Sequence, residues 1–351
     1  MKSPSHLPTK QIKPFVFVLI IFITALACTQ KPTSPFAHNL TTQNKPWSYA
    51  PTGKNQNEFS FAVIGDLNSS EREGVLQVAV EQLNLLGPEF ILSIGDLVEG
   101  GTEDTTELKK EYDHFDNRVS KAKAPLFHLG GNHDLTNPVM RSFWESRYGK
   151  RYYHFVYQNV LFLMLDSEDY SEARMWEIYN ARKQALVLLD SGKREEAEQT
   201  PYFKMPERGT GEISDEQSAY FEKVIADHPS VRSTFVLMHK PVWQREGKGN
   251  LSRIETALGT RNYTVLNGHL HKYSYTERNH RDYIMVATTG GGQDAKSDMA
   301  FDHILYVSFT DEGPSLANLR LDGILDKKGK IPLQGDTLCF QASKCNPSAS
   351  H

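Results

Sequence analysis

The sequence predicts an α/β fold that gathers polar side chains at the ends of its strands. Three observations predict it. Short apolar runs of strand length alternate with helical stretches along most of the chain. Nearly every such run ends in a small group of Gly, Asp, Asn or His. Hydrophobic residues make up 39% of the 351, with 18 Phe, 15 Tyr and 4 Trp, enough for a sizeable core and against wholesale disorder. At ~150 residues per domain the length suits two domains or one large α/β unit.

In chain order, regular structure is predicted from Phe59, where FSFAVIG reads as a buried strand ending Gly65-Asp66-Leu67-Asn68. A helix follows over Glu73 to Leu86, then a second strand from Phe90 ending Gly95-Asp96. The third, from Ala124, ends Gly130-Gly131-Asn132-His133-Asp134. Tyr153 to Tyr157 and Val160 to Leu165 read as a hairpin around Gln158-Asn159. Charged residues dominate about 168–212, which has few core positions and reads as a surface insertion or cap. Later strands, from Ser233 and Tyr263, run into His239 and into Gly268-His269-Leu270-His271. Two more are predicted at Tyr283 to Thr288 and Ile304 to Phe309. Thr288-Thr289-Gly290-Gly291-Gly292 lacks the Lys-Ser/Thr ending of a P-loop and is expected beside the site.

The flanks read differently. Lys2, Lys10 and Lys13 precede an uncharged run, Phe15 to Leu26, which ends at Ala27-Cys28. Twelve helical residues span about 18 Å, short of the ~30 Å hydrocarbon core, so this is the apolar part of an export signal. Small residues before Cys28 resemble a bacterial lipoprotein signal, which would acylate Cys28 and anchor the chain to a membrane facing the periplasm or cell exterior. An ordinary secretory signal cleaved near Ala27 and a retained anchor are the alternatives. Residues 28–57 are polar, carry four prolines and read as a flexible tether. The catalytic domain is expected over 58–312, with 313–351 a C-terminal tail. There Cys339 and Cys345 stand six apart, a pair that an oxidising compartment would bond unless they are unrelated thiols.

The formal charge is −4, and removing residues 1–27 takes away three lysines and no acids, leaving −7. Neither value shows the basic excess of a nucleic-acid binder. Anionic substrates would have to be held by the local site. Nothing in the sequence fixes an oligomeric state.

The strand-end clusters supply carboxylate, amide and imidazole donors with almost no thiolate, a set suited to Mn, Fe or Zn. There are more donors than one tetrahedral ion needs, which points to a pair of ions. Such pairs hydrolyse phosphate esters by activating water and clamping phosphate oxygens.

Gly65-Asp66-x-Asn68, Gly95-Asp96, Gly131-Asn132-His133-Asp134, His239 and Gly268-His269-x-His271 come in the order and spacing of the calcineurin-like metallophosphoesterases. The resemblance covers roughly Phe59 to Phe309. It implies a four-layer α/β/β/α sandwich of two mixed sheets, with two divalent or trivalent ions at the strand ends. It implies Asp96 as the bridging carboxylate, Asp66 and His271 on the first ion, and Asn132, His239 and His269 on the second. His133 resembles the proton donor to the leaving oxygen or a phosphate contact, and Asp134 is expected to orient it. Glu99 stands where many relatives carry an aspartate that touches this histidine. Asn68 departs from the usual Asp-x-His pattern and offers a weaker, neutral oxygen ligand. Lys240 reads as a solvated lysine or as an attractor of anionic substrate.

The implied function is hydrolysis of a small phosphomonoester or phosphodiester by attack of a metal-bound hydroxide. The rival from another class is a non-catalytic envelope scaffold, metal-bound or metal-free, that recognises phosphorylated ligands.

Overall fold

The computed structural model describes residue 1 and residues 35–53, 57–245 and 249–345. The apolar N-terminal run and Cys28 lie outside these residues. Among those described, no helix is long and apolar enough to cross a membrane.

The chain begins with β1 (Phe36–Ala37), β2 (Phe59–Ile64), α1 (Val75–Leu86), β3 (Phe90–Ser93), α2 (Thr105–Val119) and β4 (Leu126–Phe127). It continues with α3 (Pro138–Tyr148), β5 (Tyr153–Tyr157), β6 (Val160–Met164) and α4 (Glu172–Asp190). Three short helices follow, α5 (Arg194–Glu198), α6 (Pro201–Lys204) and α7 (Glu207–Thr210). Then come α8 (Asp215–Asp227), β7 (Ser233–Leu237), α9 (Leu251–Leu258) and β8 (Tyr263–Asn267). The last strands are β9 (Ser274–Arg278), β10 (Arg281–Met285), β11 (His303–Thr310) and β12 (Gly313–Arg320).

They form two mixed sheets, ordered β1-β5-β6-β7-β8-β10-β9 and β12-β11-β2-β3-β4. Their parallel centres, β6-β7-β8-β10 and β2-β3-β4, are near-continuous apolar runs because both faces are covered. Between the sheets the core is aromatic. Phe61 meets Phe162 and Phe235 edge to face at 5.3 and 4.9 Å, and Phe127 stacks on Phe155 at 4.4 Å. Outside the smaller sheet, Leu76 and Leu83 of α1, Phe115 of α2 and Trp144 of α3 form a second core. Outside the larger, Phe221 of α8 and Ile254 of α9 pack on β6, β7 and β8. The result is the expected α/β/β/α sandwich.

Local chemistry sets the boundaries. Asp104 caps α2 by accepting from the Thr106 and Glu107 amides. Asn137 caps α3, with Pro138 in the first turn. The predicted hairpin is β5–β6, and Gln158 and Asn159 both take positive φ, 47° and 60°, as a tight antiparallel turn requires.

Both flanks need correction. The expected tether is part of the fold over 35–53. There β1 pairs with β5, Trp47 bridges to Phe127, and the Ser48 amide donates to the Leu126 carbonyl at 3.0 Å. Phe36 and Trp47 are buried and meet edge to face at 5.4 Å, so the segment ties an edge of each sheet together. Three aromatics, Phe36, Trp47 and Tyr49, scattered among prolines and polar residues make no period, which hid this. The tail expected from residue 313 begins with β12, paired with β11 from Thr310↔Gly313 to His303↔Arg320. As a solvent-facing edge strand it lacks the apolar alternation that marks buried ones. Beyond it Leu321, Ile331 and Phe340 join the core around α1, and Cys339 and Cys345 are disulfide-bonded.

Candidate metal centre

The polar clusters lie at the carboxyl ends of β2, β3 and β4, parallel in one sheet, and of β7 and β8, parallel in the other. Asp66, Asp96, Asn132, His239, His269 and His271 each follow one of these strands. Asp66, Asp96, His269 and His271 take φ of 53°, 56°, 82° and 51°, a region non-glycine residues rarely occupy. Strain of this kind gathers where side chains must aim at one point. Glycine makes room: a Cβ on Gly268 would collide with Asp66 Oδ2.

Each histidine is oriented by a backbone carbonyl, which can only accept, so the ring nitrogen facing it carries the proton. His239 Nδ1 donates to the Ile94 carbonyl at 2.9 Å and His271 Nδ1 to the Gly292 carbonyl at 2.6 Å. His269 Nε2 donates to the Arg208 carbonyl at 2.9 Å. The opposite nitrogens keep their lone pairs, the tautomers a metal requires. The carboxylates are held by amides, Asp96 Oδ1 from His133 at 2.8 Å and Asp66 Oδ1 from His269 at 2.9 Å.

What remains is a set of buried atoms without hydrogen-bond partners: Asp66 Oδ2, Asn68 Oδ1, Asp96 Oδ2, Asn132 Oδ1 and His239 Nε2. Each such group costs about 1–3 kcal/mol if nothing satisfies it. Ligand atoms of Asp96, His239 and His269 lie within 4.8 Å of one another, and so do those of Asp66, Asp96 and His271. Asp96 belongs to both groups. The donor set and its geometry fit metal ions.

Residues 59–273, more than half of the chain, match the family model described as calcineurin-like phosphoesterase. The chain belongs to that family. It is a phosphoesterase, a hydrolase whose family implies divalent metal ions.

Among solved structures, a dimetal phosphatase from Danio rerio aligns with a TM-score of 0.51 at 13% identity, over 75% of this chain and 96% of that one. PhoD aligns with a TM-score of 0.50 at 11% identity, over 77% and 70%. A purple acid phosphatase from yellow lupin (Lupinus luteus) seeds gives 0.50 at 12% identity, over 77% of this chain and 53% of its own. At these identities the likeness is one of fold. No curated protein matches the chain.

Burial and neighbouring charge set protonation in the phosphoesterase centre. Burial pushes the Asp66 carboxyl up to about 6, against the pull of His239 and His271. Burial also opposes ionisation of Asp96, but His239 and His133 outweigh it and hold this carboxyl below the usual range. Burial alone would lower His239, yet the adjacent Asp96 raises it to about 9. A proton and a metal therefore compete for His239 Nε2. Burial, with Lys240 and His239 nearby, holds His269 well below the usual range and so neutral.

Other expected residues lie elsewhere. Asp134 is fully buried and accepts from the Gly131 and Leu97 amides and the Tyr112 hydroxyl, so it braces the loop and does not orient the His133 ring. The His133 ring is held instead by the Glu99 carbonyl, to which Nδ1 donates at 2.6 Å, while the Glu99 carboxylate accepts from the Ser70 amide. Lys240 is neither solvated nor aimed at substrate. It is buried, ion-paired with Glu168 at 2.9 Å, and donates to the Glu207 carbonyl. The 288–292 run does border the site, with the Gly291 amide donating to the Asp66 carbonyl at 3.0 Å.

Helices α4, α6 and α7 line one side of an open cavity of about 850 Å³ whose other side carries Asn68, Asp96, Asn132, His133, His269 and His271. Sequence reasoning missed Arg182 of α4, whose Nη2 lies 3.4 Å from His133 Nε2. A single arginine in a charged helix carries no local signal of this.

Proposed function

We propose that this phosphoesterase hydrolyses a phosphomonoester or phosphodiester at a centre of two ions, drawn from Mn, Fe and Zn. The observation that carries this reading is the convergence of buried, partnerless ligand atoms on Asp96, which both candidate groups share. Asp66, Asn68 and His271 would hold one ion, Asn132, His239 and His269 the other, with Asp96 bridging. A similar fold in a dimetal phosphatase supports a two-ion reading.

Ions held here would polarise phosphate oxygens and lower the pKa of a water so that it can attack phosphorus. The chain's own residues do the rest. Asp96 and Asp66 neutralise positive charge while amides fix their oxygens. His133, with Nδ1 committed to the Glu99 carbonyl, presents Nε2, which would hand a proton to the departing oxygen as the imidazolium, a form that burial and Arg182 oppose and Asp96 favours.

Turnover of p-nitrophenyl phosphate or its bis-ester with added Mn²⁺, lost on chelation, is the expected result. No turnover of either ester would favour the binding-scaffold reading.

The same reading makes the protein an exported lipoprotein held to a membrane through Cys28. The bonded Cys339–Cys345 pair supports an oxidising compartment. Labelling with a palmitate analogue should mark the wild type and not Cys28→Ser; an unlabelled wild type would refute the anchor.

A further inference from the structure

The helical wall of the cavity has a chemistry of its own. Arg182 reaches in from α4 beside His133, and its Nη1 lies so close to Gly101 (φ +68°) that a Cβ there would approach within 2.6 Å. Among the described residues no carboxylate forms an ion pair with this guanidinium. A guanidinium on the wall of a phosphoesterase cavity, with His133 Nε2 beside it and no carboxylate paired to it, can serve as an oxyanion donor.

Around it the wall is partly apolar, with Asp190 of α4 and Arg208 of α7 set among the apolar side chains. Leu186 and Leu189 of α4 stand one turn and two turns beyond Arg182 and line the same cavity, together with Tyr202 and Phe203 of α6 and with Leu270, which is 40% exposed. Phe203 is held under the Arg208 guanidinium at 4.3 Å, and the Arg208 carbonyl receives the His269 proton, so this wall is tied to the metal centre itself. Part-exposed apolar side chains grouped beside charged ligands leave surface that water covers poorly and an apolar group would cover well.

We propose that α4 and α6 form the leaving-group subsite, that the substrate is a phosphoester whose alcohol portion presents an apolar face, and that Arg182 holds a phosphate oxygen between this wall and the metal centre. This rests on the two-ion reading above. Arg182 would set the phosphate with respect to His133 Nε2, so that the departing oxygen faces both the proton donor and the apolar wall.

The test is calorimetric binding of two unreactive phosphonates, phenyl and methyl, to the Mn²⁺-loaded protein, with kcat and KM for p-nitrophenyl phosphate measured alongside. The wild type should bind phenylphosphonate about 10-fold or more tighter than methylphosphonate. Phe203→Ser should weaken phenylphosphonate more than methylphosphonate and so remove most of that preference. Arg182→Gln should weaken both phosphonates about 10- to 100-fold, with Arg182→Lys recovering part of the loss. Equal binding of the two phosphonates by the wild type, or wild-type binding in Arg182→Gln, would overturn the subsite while leaving the two-ion reading intact. If neither phosphonate binds the loaded protein, the subsite falls, and metal-dependent turnover of p-nitrophenyl phosphate alone then decides the two-ion reading.

Discussion

His239 Nε2 and Asp96 Oδ2 face each other at 3.1 Å, both fully buried, without the alignment of a hydrogen bond. Two ligands of one cation would stand like this, each aimed at a shared point and not at the other. His239 Nδ1 and Asp96 Oδ1 are meanwhile tied to the backbone, so neither side chain can turn away.

Asp96→Asn should therefore abolish turnover and leave the fold intact. A neutral amide cannot bridge two cations, and the loss should exceed the ~10–100-fold typical of residues that merely orient a ligand. Circular dichroism and steady-state assays together check this. Near-normal turnover would remove Asp96 from the bridging position.

Asn68→His should tighten metal retention. Asn68 Oδ1 is buried, lines the cavity and has no partner, so an imidazole there would replace a weak oxygen donor by a stronger nitrogen one. Elemental analysis after mild chelation should show more metal in the variant. Unchanged occupancy would mean that Asn68 is not a ligand.

Trp47→Ala should cost about 3–5 kcal/mol, the usual range for truncating a buried aromatic. Trp47 packs on Phe36, Phe127 and Tyr153, joining both sheets. Urea unfolding measures the loss, and a change below about 1 kcal/mol would return the 35–53 segment to the status of a tether.

His128 gives the protein a pH dependence away from the metal centre. Its ring stacks on Tyr148 at 4.1 Å, both nitrogens lack partners, and burial lowers its pKa from 6.5 to about 4. Between those values the unfolded chain binds the proton and the native one does not, so stability falls as pH drops through 6.5 and the loss levels off below about 4. The cost at pH 4 is on the order of 3 kcal/mol at most. His128→Phe should weaken the acid loss of stability, read as a smaller drop in unfolding free energy from pH 7 to pH 4.5; parallel curves for the two proteins would contradict it.

The strand-end clusters were legible because ligands must follow strands closely, and glycine turns mark those places in the sequence. Asp66, Asp96, Asn132, His239, His269 and His271 could all be found that way. The β5–β6 hairpin was legible for a similar reason, since its turn chemistry is local. Asp134 was misread because adjacency to His133 in sequence says nothing of where a side chain points. Its carboxylate turns inward to three donors. Glu99 was misread in the same way, its backbone and not its side chain meeting the histidine.

Taken alone, the sequence determined the fold class, the family and the set of donors, because each of these is written in residue types at short spacings. Tertiary structure alone decided that Trp47 and β12 belong to the fold, that Lys240 is a buried strut, and that Arg182 stands over His133. Those facts depend on segments tens to hundreds of residues apart meeting in space. Packing fixes such meetings through the summed burial of whole elements, and no short stretch of sequence carries that sum.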